Sequence, residues 1–219
     1  MRTRRRVLAA TAGVLSLSSG CLGFITGEEA LEYHANKAVV EDDALGAEST
    51  GYTETSVENR TVEVNGQDIG IGDRTIRVEN WVATYEKQDD FIDQTVGIFA
   101  LVSTHQTDVL GQPMNPVRKM SDRELLDQVL GQSQTSFGKI SNVQPDGTEA
   151  VTMLGKGTDV GVFTGEATRQ GEKIEVKIYV TMVQHGDDYV IAIGGHPTKL
   201  PSEETDVLAL MENVTHETN

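Results

Sequence analysis

Between Lys173 and Val183 apolar and polar residues alternate without a break. Ile174, Val176, Ile178, Val180 and Met182 share one parity, and Lys173, Glu175, Lys177, Tyr179 and Thr181 share the other. Successive side chains of a strand point to opposite faces, so a period of two predicts a strand with one buried and one wet face, as in an antiparallel sheet. The neighbouring segments repeat the theme. Residues 160–169 are expected to meet 173–183 across Gln170-Gly171-Glu172, and 136–143 to meet 148–154 across Pro145-Asp146-Gly147. Residues 57–64 and 75–87 flank a glycine-rich stretch that opens on the turn pair Asn65-Gly66. Ile76 and Val78 share a parity that Trp81, Ala83 and Tyr85 do not, which predicts a bulge near Asn80. Residues 96–102 are apolar on both faces and suit a central strand, while Leu31, Tyr33 and Ala35 alternate as in a first strand.

Helical signals are fewer. Asp42 or Asp43 suits the cap of a brief helix ending before Gly51. Ser121 and Glu124 have the spacing of a capping box, and the helix they start lines up Leu125, Leu126, Val129 and Leu130 before stopping near Gly131. A last helix is expected near Ser202, with Glu203, Glu204 and Asp206 suited to its positive end and Val207, Leu208, Met211 and Val214 as its buried stripe. The expected fold class is α+β, an antiparallel sheet built of hairpins with a mid-chain helix and a C-terminal helix packed on it. A pure β-sandwich is the alternative. The folded domain is expected to span 31–215, with 216–219 as a tail.

The first 20 residues are of another kind. Arg2, Arg4, Arg5 and Arg6 precede an apolar and small-residue run, 7–19, that ends in Gly20-Cys21. Basic start, apolar middle and small-residue exit make a secretory signal, and the run is too short to cross a hydrocarbon core that needs about 20 residues. Thr3-Arg4-Arg5-Arg6-Val7-Leu8 resembles a twin-arginine export motif, with Arg4 and Arg5 as its pair, and Ser18-Ser19-Gly20-Cys21 resembles a lipobox. Ser18 departs from the aliphatic residue usual there. The simpler alternatives are an ordinary signal and a cleavage that leaves Cys21 free. On the lipid reading, two acyl chains on Cys21 anchor the protein stably to the outer face of the membrane, and 21–30 is a tether. Cys21 is the only cysteine, so no disulfide within the chain can help, and stability must come from the core.

Loss of the signal removes four of the 18 basic residues and none of the 34 acidic ones, leaving 14 against 34, a net charge of −20. Clustered Lys and Arg bind phosphate backbones and anionic lipid, so nucleic acid is not an expected partner and the membrane is expected only through the lipid. Spread along the chain, this excess suits molar salt, where a Debye length of about 3 Å screens self-repulsion.

Asn80-Trp81-Val82-Ala83-Thr84-Tyr85-Glu86-Lys87, Phe99-Ala100-Leu101-Val102-Ser103-Thr104, Val109-Leu110-Gly111 and Asn115-Pro116-Val117, with 151–157 and Gly161-Val162-Phe163-Thr164, resemble haloarchaeal exported lipoproteins of a domain-of-unknown-function family. The resemblance covers nearly the whole chain and implies a halophile surface lipoprotein. It brings no reaction, cofactor or catalytic residue. The element order is also similar to Mog1/PsbP-like folds, an analogy that carries no chemistry.

Candidate chemistry is sparse. None of His34, His105, His185, His196 and His216 sits in a metal-ligand motif. His105 with Asp108, and His185 with Asp187 and Asp188, are the sets that a fold would have to bring together. There is no Gly-x-Ser-x-Gly elbow, and no catalytic set, metal or cofactor is assigned. Trp81 and Tyr85 are either core or the lining of a ligand groove walled by the loop 104–120. Asn59 and Asn213 head the sequons Asn59-Arg60-Thr61 and Asn213-Val214-Thr215 and are candidate glycan acceptors. Two functions fit: a lipid-anchored binding or assembly module with a protein or small-molecule partner, or an extracellular hydrolase whose site is assembled from scattered residues such as His105 and Asp108.

Overall fold

The structure, a computed structural model, describes residues 30–65, 75–89, 94–109, 112–113, 115–132, 138–169 and 172–218. In chain order the strands are β1 (Leu31–His34), β2 (Ala38–Val40), β3 (Thr53–Asn65), β4 (Thr75–Asp89), β5 (Gln94–His105), β6 (Asp108–Val109), β7 (Gln112–Pro113), β8 (Lys139–Met153), β9 (Lys156–Arg169), β10 (Glu172–His185), β11 (Asp188–Pro197) and β12 (Val214–His216). Eight of them form one mixed sheet in the order β1-β4-β5-β11-β10-β9-β8, with β3 also paired to β4. β2 pairs with β12, and β6 with β7. The described helices are α1 (Asp122–Gln132) and α2 (Glu203–Glu212), with short 3-10 turns at Asp42–Ala44 and Pro116–Lys119.

The expected α+β class is therefore corrected to a predominantly β architecture. Seven strands run 10–15 residues, while the two helices have 11 and 10. The clearest cause lies in β8. Pro145-Asp146-Gly147 does not reverse the chain, because β9 offers an uninterrupted partner from Lys156 to Thr168 and the turn residues are absorbed as bulges at Ser141/Gln144 and Pro145/Gly147. β8 ends the strand order, so the N–H that Pro145 lacks need have no partner strand. Within the first bulge Val143 joins the cluster of α1, whereas Val151 and Met153 further along join that of α2. The reversal comes later, at Leu154-Gly155, both with positive φ (52° and 72°), a two-residue hairpin between Met153 and Lys156.

The phase change in β4 is real, since Ile76 is buried on one parity and Ala83 and Tyr85 on the other. The expected bulge at Asn80 is absent: β3 and β4 stay in register from Ser56/Thr84 to Asn65/Thr75. What changes there is the partner on the other edge of β4, from β1 beside Ile76–Glu79 to β5 beside Trp81–Asp89. The irregularities in the pairing of β4 sit instead at Glu54/Ser56 and Lys87/Gln88.

Both faces of the sheet are covered. Leu125 and Leu126 of α1 pack with Phe163, Val176, Ile178, Val180 and Ile191. On the other face Val207, Leu210 and Met211 of α2 pack with Tyr85, Phe99, Leu101, Tyr179 and Val190. The face of β10 expected to be wet is thus buried over its second half, with Tyr179 at 0% and Thr181 at 1% exposure, while Lys173 and Glu175 are exposed and Lys177 is half-buried. Ser121 and Glu124 form the expected box, the Ser121 amide and hydroxyl both donating to the Glu124 carboxylate at 2.8 Å. The expected tail is shorter than 216–219, because His216 closes β12.

Candidate functional site

The hairpin from β10 to β11 turns through Gly186, whose φ of +60° a side chain would strain, and sets His185 opposite Asp188. β11 pairs with β5 so that Asp188 also stands opposite His105. Just past β1, Asn36 reaches the same point, and β12 delivers His216. Asn36, His105 and His216, far apart in sequence, thereby converge on the carboxylate of Asp188 at one end of the sheet.

Asp188 is fully buried. Oδ1 accepts from His105 Nδ1 at 2.9 Å. Oδ2 accepts from the Asn36 amide at 2.7 Å, Asn36 Nδ2 at 3.1 Å and His216 Nε2 at 3.1 Å. Burial alone would raise the carboxyl pKa, but the bonds from His216, Asn36 and His105 outweigh it and hold the group below its usual value. His216 Nε2 is also 3.3 Å from the Ser103 hydroxyl, and its Nδ1 is 3.0 Å from Nδ1 of His185. Since Nε2 gives its hydrogen to Asp188, the neutral His216 ring presents a lone pair at Nδ1, which accepts from His185. Burial, then the neighbouring His216 and Lys156, hold His185 below the ordinary histidine pKa.

The loop 104–120 is tied back onto this cluster. Asn115 donates through Nδ2 to the His105 carbonyl at 2.7 Å and accepts the Val117 amide at 3.1 Å, capping the 3-10 turn. Tyr33 stacks on His105 with centroids 5.5 Å apart.

A second polar network fixes the start of α2. Lys87 reaches Glu203 and Asp206, both at 2.8 Å. Lys177 and the Tyr179 hydroxyl reach Glu204 at 3.0 and 2.9 Å, and His196 bonds Tyr179 at 3.1 Å. Burial lowers the pKa of His196. The acidic first turn of α2 thus serves two lysines as well as its own dipole.

The two histidine sets left apart in the sequence do meet, through His105, His185 and Asp188. Asp187 contributes only its carbonyl, which accepts the Gln106 amide at 2.7 Å. The side chain of Asp108 lies outside the described residues, as do Cys21, Arg4 and Arg5. Tyr85 is fully buried, its hydroxyl accepting the Val40 amide at 2.9 Å, so it belongs to the core. Trp81 is half-buried and stands opposite Ser103. Asn59 is exposed on β3, whereas Asn213 closes α2 with its Nδ2 donating to the Ala209 carbonyl at 2.8 Å. Asn36, Ser103 and His216 were not expected here, and no local pattern marks them. Among the described residues no group of three or more His, Cys, Asp or Glu side chains is arranged to hold a metal ion.

This arrangement is a clamp rather than a proton-transfer line. A serine nucleophile needs a base with one ring nitrogen on the hydroxyl and the other on the carboxylate. His216 offers the same Nε2 to both Ser103 and Asp188 and turns Nδ1 to another imidazole. Its side chain and that of Asp188 are both at 0% exposure.

Three comparisons bear on the chain. The family described as Domain of unknown function (DUF6517) matches residues 37–215. No curated protein matches. Among solved structures the chain is similar to that described as "Crystal structure of LpqN involved in cell envelope biogenesis of Mycobacterium tuberculosis", at 9% identity and a TM-score of 0.29, over 75% of this chain and 90% of that one. At that TM-score the likeness carries no argument about fold or function.

Proposed function

The chain belongs to the DUF6517 family, a domain of unknown function, and from that premise we propose that it is an exported lipoprotein working as a binding or assembly module on the outer face of the membrane. The observation that carries the reading is the lone thiol of Cys21 at the end of a short apolar run behind Arg4 and Arg5. No described helix is long and apolar enough to cross a membrane, so attachment through Cys21 has no competing anchor among the described residues. The net charge of −20 after processing suits a halophile surface. The closed clamp at Asp188 favours this reading over the hydrolase, because the serine, histidine and carboxylate it gathers are buried and share one nitrogen.

Membrane attachment is tested by fractionating cells that express the wild type, Cys21→Ser and Arg4→Lys/Arg5→Lys. The expected result is wild type in the membrane fraction until detergent is added, Cys21→Ser in the medium, and the arginine variant inside the cell with residues 1–20 intact. Cys21→Ser that stays as firmly with membranes overturns the anchor. For the module, cross-linking on intact cells is expected to capture a partner absent from a control lipoprotein, and a capture pattern equal to the control overturns it.

A further inference from the structure

We propose that the outer edge of β3 is a self-association surface, on which a second copy of this chain adds an antiparallel strand centred on Asn59. The inference rests on the sheet alone and stands whether or not Cys21 carries lipid. An open sheet leaves unpaired backbone donors and acceptors along its margins, and folds that avoid association guard those margins with proline, bulges, short strands or charged side chains. Here β1 is only four residues long. The β8 margin is interrupted by two bulges, by Pro145 and by Asn142 with φ of 55°. Past Ser56 β3 has no bulge and no proline or glycine: its register with β4 is continuous to Asn65, and the charged side chains that remain, Glu58, Arg60 and Glu63, are of both signs. Among the described residues no strand pairs with its outer edge. Residues 58–63 are all exposed, and Val62, at 46%, is the exposed large hydrophobic side chain among the described residues.

The strand's own sequence selects the occupant. Laid antiparallel on itself with full overlap, β3 places Asn59 on the two-fold axis. Ser56 then faces Val62, Val57 faces Thr61, and Glu58 faces Arg60, each pair occurring twice. Such reciprocity is what an isologous dimer requires. Arg60 is the only basic residue of the strand and already bonds Glu58 of its own chain at 3.1 Å, so the dimer joins two such pairs into a ring of alternating charge. Shifting the overlap by one residue sets Glu54 against Glu63 or leaves Arg60 without a carboxylate opposite. The general repulsion of two acidic copies is screened in molar salt, whereas charges in contact are screened less.

The test is sedimentation equilibrium in molar KCl on the mature chain carrying Cys21→Ser, with circular dichroism to establish that each variant folds. The wild-type edge is expected to give a monomer–dimer equilibrium. Arg60→Glu alone and Glu58→Arg alone are each expected to weaken it by roughly tenfold or more. The exchange Glu58→Arg/Arg60→Glu is expected to restore it, since only the overlap centred on Asn59 sets position 58 against position 60. A wild-type chain that is monomeric throughout, even one whose β3 captures another protein, overturns the proposal. So does association indifferent to Arg60→Glu, or a double exchange that fails to restore what the single changes remove.

Discussion

Asp188 and His216 meet at 3.1 Å with neither side chain reaching solvent, although 28 positions separate them in the chain. The same carboxylate holds Asn36 before β2 and His105 at the end of β5, so one charge ties together four elements of the fold. Removing one partner of a buried ionic cluster leaves the rest unpaired in a medium that solvates them poorly. Asp188→Asn is expected to lower the unfolding free energy by about 3 kcal/mol, and Asn36→Ala, which loses one charge-assisted bond, by about 1.5 kcal/mol. Urea titrations in molar salt check both. An Asp188→Asn midpoint equal to the wild type would show that the cluster contributes nothing.

Acid should unfold the domain in two stages. His185 and His196 have folded pKa values below the ordinary 6.5, chiefly through burial, so the folded state favours their neutral forms. Their contribution is complete above pH 6.5 and is lost as the pH falls from there through the folded values. Asp188 is also depressed, against an ordinary 3.8, and its contribution is lost only below that. Melting temperature against pH should therefore start to fall near 6.5 and fall again below 3.8, and His196→Gln should flatten the first slope. A flat profile from pH 7.5 to 5 sinks the assignment.

The two sequons are expected to differ. Asn59 projects from an exposed strand and donates to Glu79 at a long 3.5 Å, whereas the Nδ2 that a glycan would need on Asn213 already closes α2. A glycosylating host should modify Asn59 and spare Asn213, as read by peptide mass mapping. A glycan at Asn213 on folded protein contradicts the geometry. Occupancy at Asn59 also places two glycans on the proposed two-fold axis, so the modified chain should be monomeric.

Tyr52 and Gly97 give a test of packing. The Tyr52 hydroxyl is buried without a hydrogen-bond partner among the described residues, and a Cβ at Gly97 would stand 2.1 Å from it. Tyr52→Phe removes an unpaired polar atom and should leave stability unchanged or raise it by about 1 kcal/mol. Gly97→Ala should cost about 2 kcal/mol. The double variant should stay impaired, since the ring carbon bearing the hydroxyl is 2.6 Å from that Cβ. Full rescue of Gly97→Ala by Tyr52→Phe would place the clash on the oxygen alone.

What was legible in the sequence was what is local. The Ser121–Glu124 box, the pairing of β9 with β10 and the central place of β5 follow from spacing and alternation within a few residues. Pro145-Asp146-Gly147 was misread because turn propensity is a local property and the continuous partner that overrides it, β9, is not. The far face of β10 was misread because tyrosine and threonine serve equally at a wet surface and under a helix, and only α2 decides between them. The cluster at Asp188 draws on positions 36, 103, 105, 185 and 216, and no spacing in the chain signals that convergence. His216 in particular stood where a tail was expected, and its burial follows from the pairing of β12 with β2.

That pairing has a practical consequence. With the Glu217 amide bonded to the Lys37 carbonyl at 3.2 Å, the last residues of the fold are held against the link between β1 and β2. A reporter fused after residue 219 would therefore start close to that link and to the strand that delivers His216 to Asp188. A spacer before the reporter should be needed to keep it from pulling β12 away from β2, read as a lower melting temperature of the directly fused chain.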